Sequence, residues 1–114
     1  MQVLFYTTAR GRSPVVDEID GLPKQAAAHA YELLEGVEKY GLNAPRVTFR
    51  QIEGKLWEIK MSLPQTGRYR IFYLMIERDR MLLLHAYRKQ SQKAPQNEIQ
   101  TALNRMADSI QRGL

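Results

Sequence analysis

The chain has 114 residues, 44% hydrophobic and 25% charged, a folded protein's balance with room for one domain. It has no cysteine, which excludes disulfides, thiolate metal sites and cysteine nucleophiles. The net charge of +5 is uneven: residues 46–93 hold eleven Lys/Arg against four Asp/Glu, the remainder six against eight. Such a basic segment attracts phosphate backbones or an acidic partner, and a solvated surface explains it equally well. Apolar runs such as 81–84 are too short to span a bilayer. The opening Met-Gln-Val-Leu-Phe-Tyr places no basic stretch ahead of an apolar one, so a soluble, cytoplasmic protein without membrane attachment is expected.

Residues 2–6 are β-prone and read as an opening strand. Ser13-Pro14 reads as an N-cap followed by proline at the first helical position, with Asp17 and Glu18 favouring the positive helix end. That short helix ends near Gly21. Pro23 starts a second, with Ala26, Ala27, Ala30, Leu33, Leu34, Val37 and Tyr40 at helical spacing and Gly41 as terminator. The Gly21-Leu22 connection folds the two helices into a hairpin.

Beyond Pro45 the period changes to alternation. Residues 47–52 form a possible strand with Glu53-Gly54 as its turn. Over 56–61, Trp57, Ile59 and Met61 share one face, the core side, and Glu58 and Lys60 the other. Residues 69–76 are apolar on both faces except for Arg70, the pattern of a covered central strand. Residues 77–79 make a hairpin turn and 81–87 the next strand. Pro95 opens a last helix with Ile99, Ala102, Leu103, Met106 and Ile110 as its buried stripe. The expected fold is a single α+β domain over 1–114: a short N-terminal strand and helical hairpin, a mostly antiparallel three- to four-stranded sheet, and a C-terminal helix.

Few residues offer chemistry. His85, with an ordinary pKa of about 6.5, suits proton transfer or a structural hydrogen bond. His29 lies in the helical hairpin and reads as a surface residue. Two distant histidines and scattered acids do not converge as ligands, so neither metal nor cofactor is expected. No segment reads as a recognition helix, so sequence-specific DNA binding by this chain alone is not expected.

Four runs carry more information together than apart: Leu-Trp-Glu-Ile-Lys (56–60), Arg-Tyr-Arg-Ile-Phe-Tyr (68–73), Leu-Leu-Leu-His-Ala-Tyr-Arg-Lys (82–89) and Gln-Lys-Ala-Pro-Gln-Asn-Glu-Ile (92–99). In this order and spacing the chain resembles toxins of the RelE/ParE superfamily, in the HigB-like, phage-derived branch. It departs from that pattern mildly, with Ala94 where threonine is usual, Tyr87 where phenylalanine is commoner and Arg88 where lysine often stands.

The resemblance implies a toxin of a type II toxin–antitoxin pair that cuts messenger RNA in the ribosome without a metal. A ribose 2′-oxygen would attack the adjacent phosphate and expel the next 5′-oxygen. Its partners would be the ribosome, the message and an antitoxin, often a helix-turn-helix protein. Arg70 matches the phosphate-binding arginine, against a surface arginine pairing with Glu58. Lys60 matches a basic phosphate contact, or is a solvated strand lysine. Lys89 falls nearest the second basic position. Glu58 is either a base or the holder of the basic cluster. Arg68 and Arg88 are candidate RNA contacts, Tyr87 a base-stacking ring or a strand-end tyrosine, and Lys93 a phosphate grip or a loop lysine. Two other readings stay open: a ParE-like gyrase inhibitor, and a relic that binds its antitoxin without cutting.

Overall fold

The computed structural model describes residues 1–92 and 95–114. The expectations for Lys93 and Ala94 lie outside the described residues. Strand β1 (Gln2–Phe5) is followed by helices α1 (Pro14–Asp20) and α2 (Lys24–Tyr40) and a 3₁₀ turn (Gly41–Asn43). Strands β2 (Thr48–Glu53), β3 (Leu56–Leu63), β4 (Gly67–Glu77) and β5 (Arg80–Arg88) then run to α3 (Gln96–Gln111). The sheet order is β1-β5-β4-β3-β2. Four strands form the expected antiparallel meander. The opening strand joins the same sheet, parallel to β5, with Gln2 opposite Arg80 and Phe5 opposite Leu83.

Burial on both faces makes β4 the centre of the sheet, as its apolar run demands. On one face Val15, Ile19, Ala30, Leu33 and Val37 of the helical hairpin pack on Ile59, Met61, Ile71, Tyr73 and Leu83. On the other, Ile99 and Ala102 of α3 pack on Leu56, Phe72, Leu74, Leu82 and Leu84. Trp57 packs against the first core, in keeping with its alternation with Ile59 and Met61.

Two local details differ from the sequence reading. Ser13 occupies the cap position ahead of Pro14 but makes no side-chain cap; its carbonyl accepts from the Asp17 amide at 3.0 Å instead. Ile110 does not continue the buried stripe of α3 and is 51% exposed, whereas Ser109 is fully buried. The stripe follows Ile99, Ala102, Met106 and Ser109. Position 110 is one residue out of phase, about 100° around the helix from the buried line.

The feature that matters most for the site is a bulge. Phe72 pairs with His85, but the next residue, Tyr73, pairs with Leu83, so Leu84 is the extra residue on β5. Strict alternation from Leu82 and Leu84 would send His85 and Tyr87 to the helical-hairpin face. The added residue resets the phase and turns both to the α3 face, where their rings stack with Phe72.

Candidate functional site

The α3 face divides into an apolar half beneath α3 and a charged half beyond it. Cross-strand register builds the charged half in two rows. Thr48, Lys60, Arg70 and Tyr87 lie opposite one another across β2 to β5, as do Arg50, Glu58, Phe72 and His85. Arg68 precedes Arg70 by two positions and so shares its face. Lys89 follows β5, its amide donating to the Arg68 carbonyl at 2.9 Å. The structure thus brings Lys60, Arg68, Arg70, Tyr87 and Lys89 together around Glu58. It adds Arg50, which the sequence reading did not single out.

Glu58 is 1% exposed and Arg70 6%, so both charges are withdrawn from water. Arg50 Nη2 lies 2.8 Å from Glu58 Oε1, and Arg70 Nε lies 3.9 Å from the same oxygen. These contacts are ion pairs without aligned hydrogen bonds: among the described residues neither Glu58 oxygen nor Arg70 Nε has a hydrogen-bond partner. Arg70 is anchored instead through Nη1, which donates to the Tyr69 carbonyl at 3.0 Å and the Met61 carbonyl at 3.4 Å. Its pairing with Glu58 is therefore real, but the arginine is a buried one and not a surface one.

Burial shapes the proton affinities here. Desolvation lowers the Arg70 pKa against the pull of Glu58, and guanidinium chemistry keeps the side chain charged. The Lys89 ammonium is lowered first by burial; Glu58 opposes this, and Arg70, Arg50 and Arg68 lower it further. Tyr87 is pushed up to about 12, mainly by burial and then by Glu58, so its phenol keeps its proton. A cleft of about 360 Å³ opens beside these groups, lined by Tyr87, Lys89, Gln90, Pro95, Asn97 and Glu98. Arg88 borders the cleft and is exposed, but its register partner Tyr69 belongs to the helical-hairpin core, so strand alternation places Arg88 on that opposite side.

His85 is not solitary. Its Nδ1 lies 2.9 Å from Glu18 Oε2 on α1, and its Nε2 lies 2.8 Å from Glu98 Oε1 on α3. With both nitrogens protonated, the imidazolium donates to a carboxylate on each side. Arg105 completes the cluster: its Nη1 donates to the Leu84 carbonyl at 2.9 Å, capping the bulge, and lies 3.4 Å from Glu18 Oε1. Burial by itself lowers the His85 pKa, and the hydrogen bonds and charges of Glu18 and Glu98 outweigh it and raise it.

The folded His85 value lies above the ordinary 6.5. The clamp therefore stabilises the fold fully below 6.5 and loses that contribution as pH rises through the folded value. Thermal melts of the wild type and of His85→Gln, from mildly acidic to mildly alkaline buffer, check this. The gap between the two proteins should shrink as pH rises. A constant gap would assign His85 a role independent of its charge.

Among the described residues no cluster of three or more His, Cys, Asp or Glu is placed to hold a metal ion. No helix there is long and apolar enough to cross a membrane. His29 is half-buried on α2, whose buried face belongs to the opposite core. Arg50, Glu18, Glu98 and Arg105 are the residues that sequence reasoning missed. Alternation in β2 marks Arg50 once the hairpin register is known, and nothing local marks the other three as partners of His85.

A search of curated proteins found no match. The family model described as "Phage derived protein Gp49-like (DUF891)" matches residues 17–107, a span that runs from within α1 to within α3 and holds every residue of the charged face described above. This chain belongs to the phage-derived Gp49-like family, a toxin-type family of RelE/HigB-like character.

Proposed function

We propose that the chain is a HigB-like toxin that cuts messenger RNA on the ribosome and is held inactive by an antitoxin. The observation that supports this best is the cationic face of Arg50, Lys60, Arg68, Arg70 and Lys89 gathered around a buried carboxylate. A pentavalent phosphate needs concentrated, preorganised positive charge, and this face holds it at the edge of an apolar floor.

In this reading Lys60 and Arg70 stabilise the phosphate, while Arg68, on the same face, holds the flanking strand. The ribose 2′-oxygen bonds to phosphorus and the bond to the 5′-oxygen breaks, leaving a 2′,3′-cyclic phosphate and a 5′-hydroxyl. Water takes the 2′-hydroxyl proton, and Lys89 donates one to the departing 5′-oxygen. Glu58, enclosed and paired with Arg50, keeps the guanidinium groups in place. His85, with both ring nitrogens engaged by carboxylates, braces the face and transfers no proton. Tyr87, kept neutral, offers a ring for stacking or a phenol for hydrogen bonding. The antitoxin, a helix-turn-helix protein in the pairs this chain resembles, lays an acidic segment across the same face.

Controlled expression beside Arg70→Ala, followed by growth and transcript-end mapping, tests the reading. Growth arrest with new cuts inside translated codons, both lost in the variant, is the expected result. Arrest with intact transcripts and DNA damage would move the function to gyrase inhibition. Absence of arrest would leave a chain that binds its antitoxin and nothing more.

A further inference from the structure

We infer that Arg50, on the edge strand, grips an RNA phosphate beside the scissile one, while Arg70 serves as a fixed charge within the sheet. The inference rests on the RNA-cutting reading and assigns within it a contact that the sequence did not reveal.

The two arginines differ in freedom. Arg70 is 6% exposed, and two backbone carbonyls hold its Nη1, so its guanidinium fork cannot turn outward without breaking both bonds. Arg50 lies on β2, the outermost strand on its side of the sheet, with half of its side chain exposed. Its ion pair is with Glu58, at 2.8 Å, and that carboxylate also has Arg70 at 3.9 Å. Glu58 therefore keeps a buried counter-ion when Arg50 leaves it. Exchanging one oxyanion for another costs an exposed guanidinium little, and its planar fork binds phosphate oxygens in pairs.

Position agrees with freedom. The row holding Arg50 and Glu58 lies two residues along the strands from the row holding Lys60 and Arg70, a step of about 7 Å. That step suits neighbouring phosphates of an extended strand crossing the sheet. Glu58, between Arg50 and Arg70, holds the outer arginine ready while the RNA is absent.

The test uses the purified full chain and a short single-stranded RNA of mixed sequence, with affinity measured against salt concentration. Losing one phosphate contact should flatten the log–log slope by about 0.7 in Arg50→Ala. Arg50→Lys, which keeps the charge, should retain most of the slope. Glu58→Gln frees Arg50 without removing it and should keep the slope as well. A wild-type slope in Arg50→Ala overturns the inference, and so does a wild-type chain with no salt-dependent affinity for RNA. The expression experiment, read separately, decides whether the chain cuts, so the two failures are distinguishable. Thermal melts of each variant exclude loss of fold as the cause of a changed slope.

Discussion

Lys89→Ala is expected to slow message cutting by about 10²–10⁴-fold, the usual contribution of one positioned proton donor. Burial and three neighbouring arginines bring this ammonium closer to neutrality than an ordinary lysine, which eases release of its proton. Lys89→Arg separates the two uses of the residue. Arginine keeps the positive charge but holds its proton far too tightly to give it up. The rate of cutting should therefore fall nearly as far as in the alanine variant, with much less change in the KM for programmed ribosomes. The pH profile carries the same sign. A donor acts in its protonated form, so the rate should fall as pH rises through the Lys89 value, which lies below 10.5. A profile unchanged by either substitution would remove Lys89 from proton transfer.

Glu58→Ala is expected to destabilise the fold by about 3–5 kcal/mol, the cost of breaking a buried ion pair from one side. Arg70 would remain enclosed, its Nε already without a hydrogen bond among the described residues and its nearest carboxylate gone. Urea unfolding measures the loss. A double replacement, Glu58→Leu with Arg70→Met, should recover most of it, because apolar side chains of similar bulk need no counter-ion. If Glu58→Ala unfolds at the wild-type midpoint, water reaches Arg70 freely and the carboxylate holds nothing in place.

Periodicity made most of the fold legible. Alternation across 56–61 separated Trp57, Ile59 and Met61 from Glu58 and Lys60, and the structure keeps that division. Proline and glycine marked the ends of both hairpin helices. The parallel pairing of β1 was not legible, because a four-residue apolar strand carries no mark of its distant neighbour. Ile110 misled for a related reason: residues 106 and 110 fit a helical stripe at i, i+4, but the contact line of α3 on the sheet drifts to Ser109.

The charged face was legible by residue type and only partly by arrangement. Strand alternation put Glu58 and Lys60 on one face, and the family resemblance pointed to Arg70. That His85 and Tyr87 share their face follows from one extra residue, Leu84, and a bulge leaves no clear mark in an apolar run of leucines. Burial was the least legible property. Arg70 read as a phosphate-binding arginine or a surface arginine pairing with Glu58, yet Arg50, Glu58, Tyr87 and its backbone anchors enclose it. Glu18 read as a residue suited to a helix start, and its pairing with His85 depends on α1 lying against β5.

The parallel strand also has a consequence in time. Gln2 finds its partner at Arg80, and the clamp on His85 and the Leu84 carbonyl waits for Glu98 and Arg105. On a ribosome the first strand emerges with nothing to pair with, and the intervening helices and meander form before its place in the sheet exists. A nascent chain stopped short of α3 leaves the bulge carbonyl uncapped and His85 without its second carboxylate. The complete face is thus a late product of folding, finished only once α3 has joined the strands that precede it.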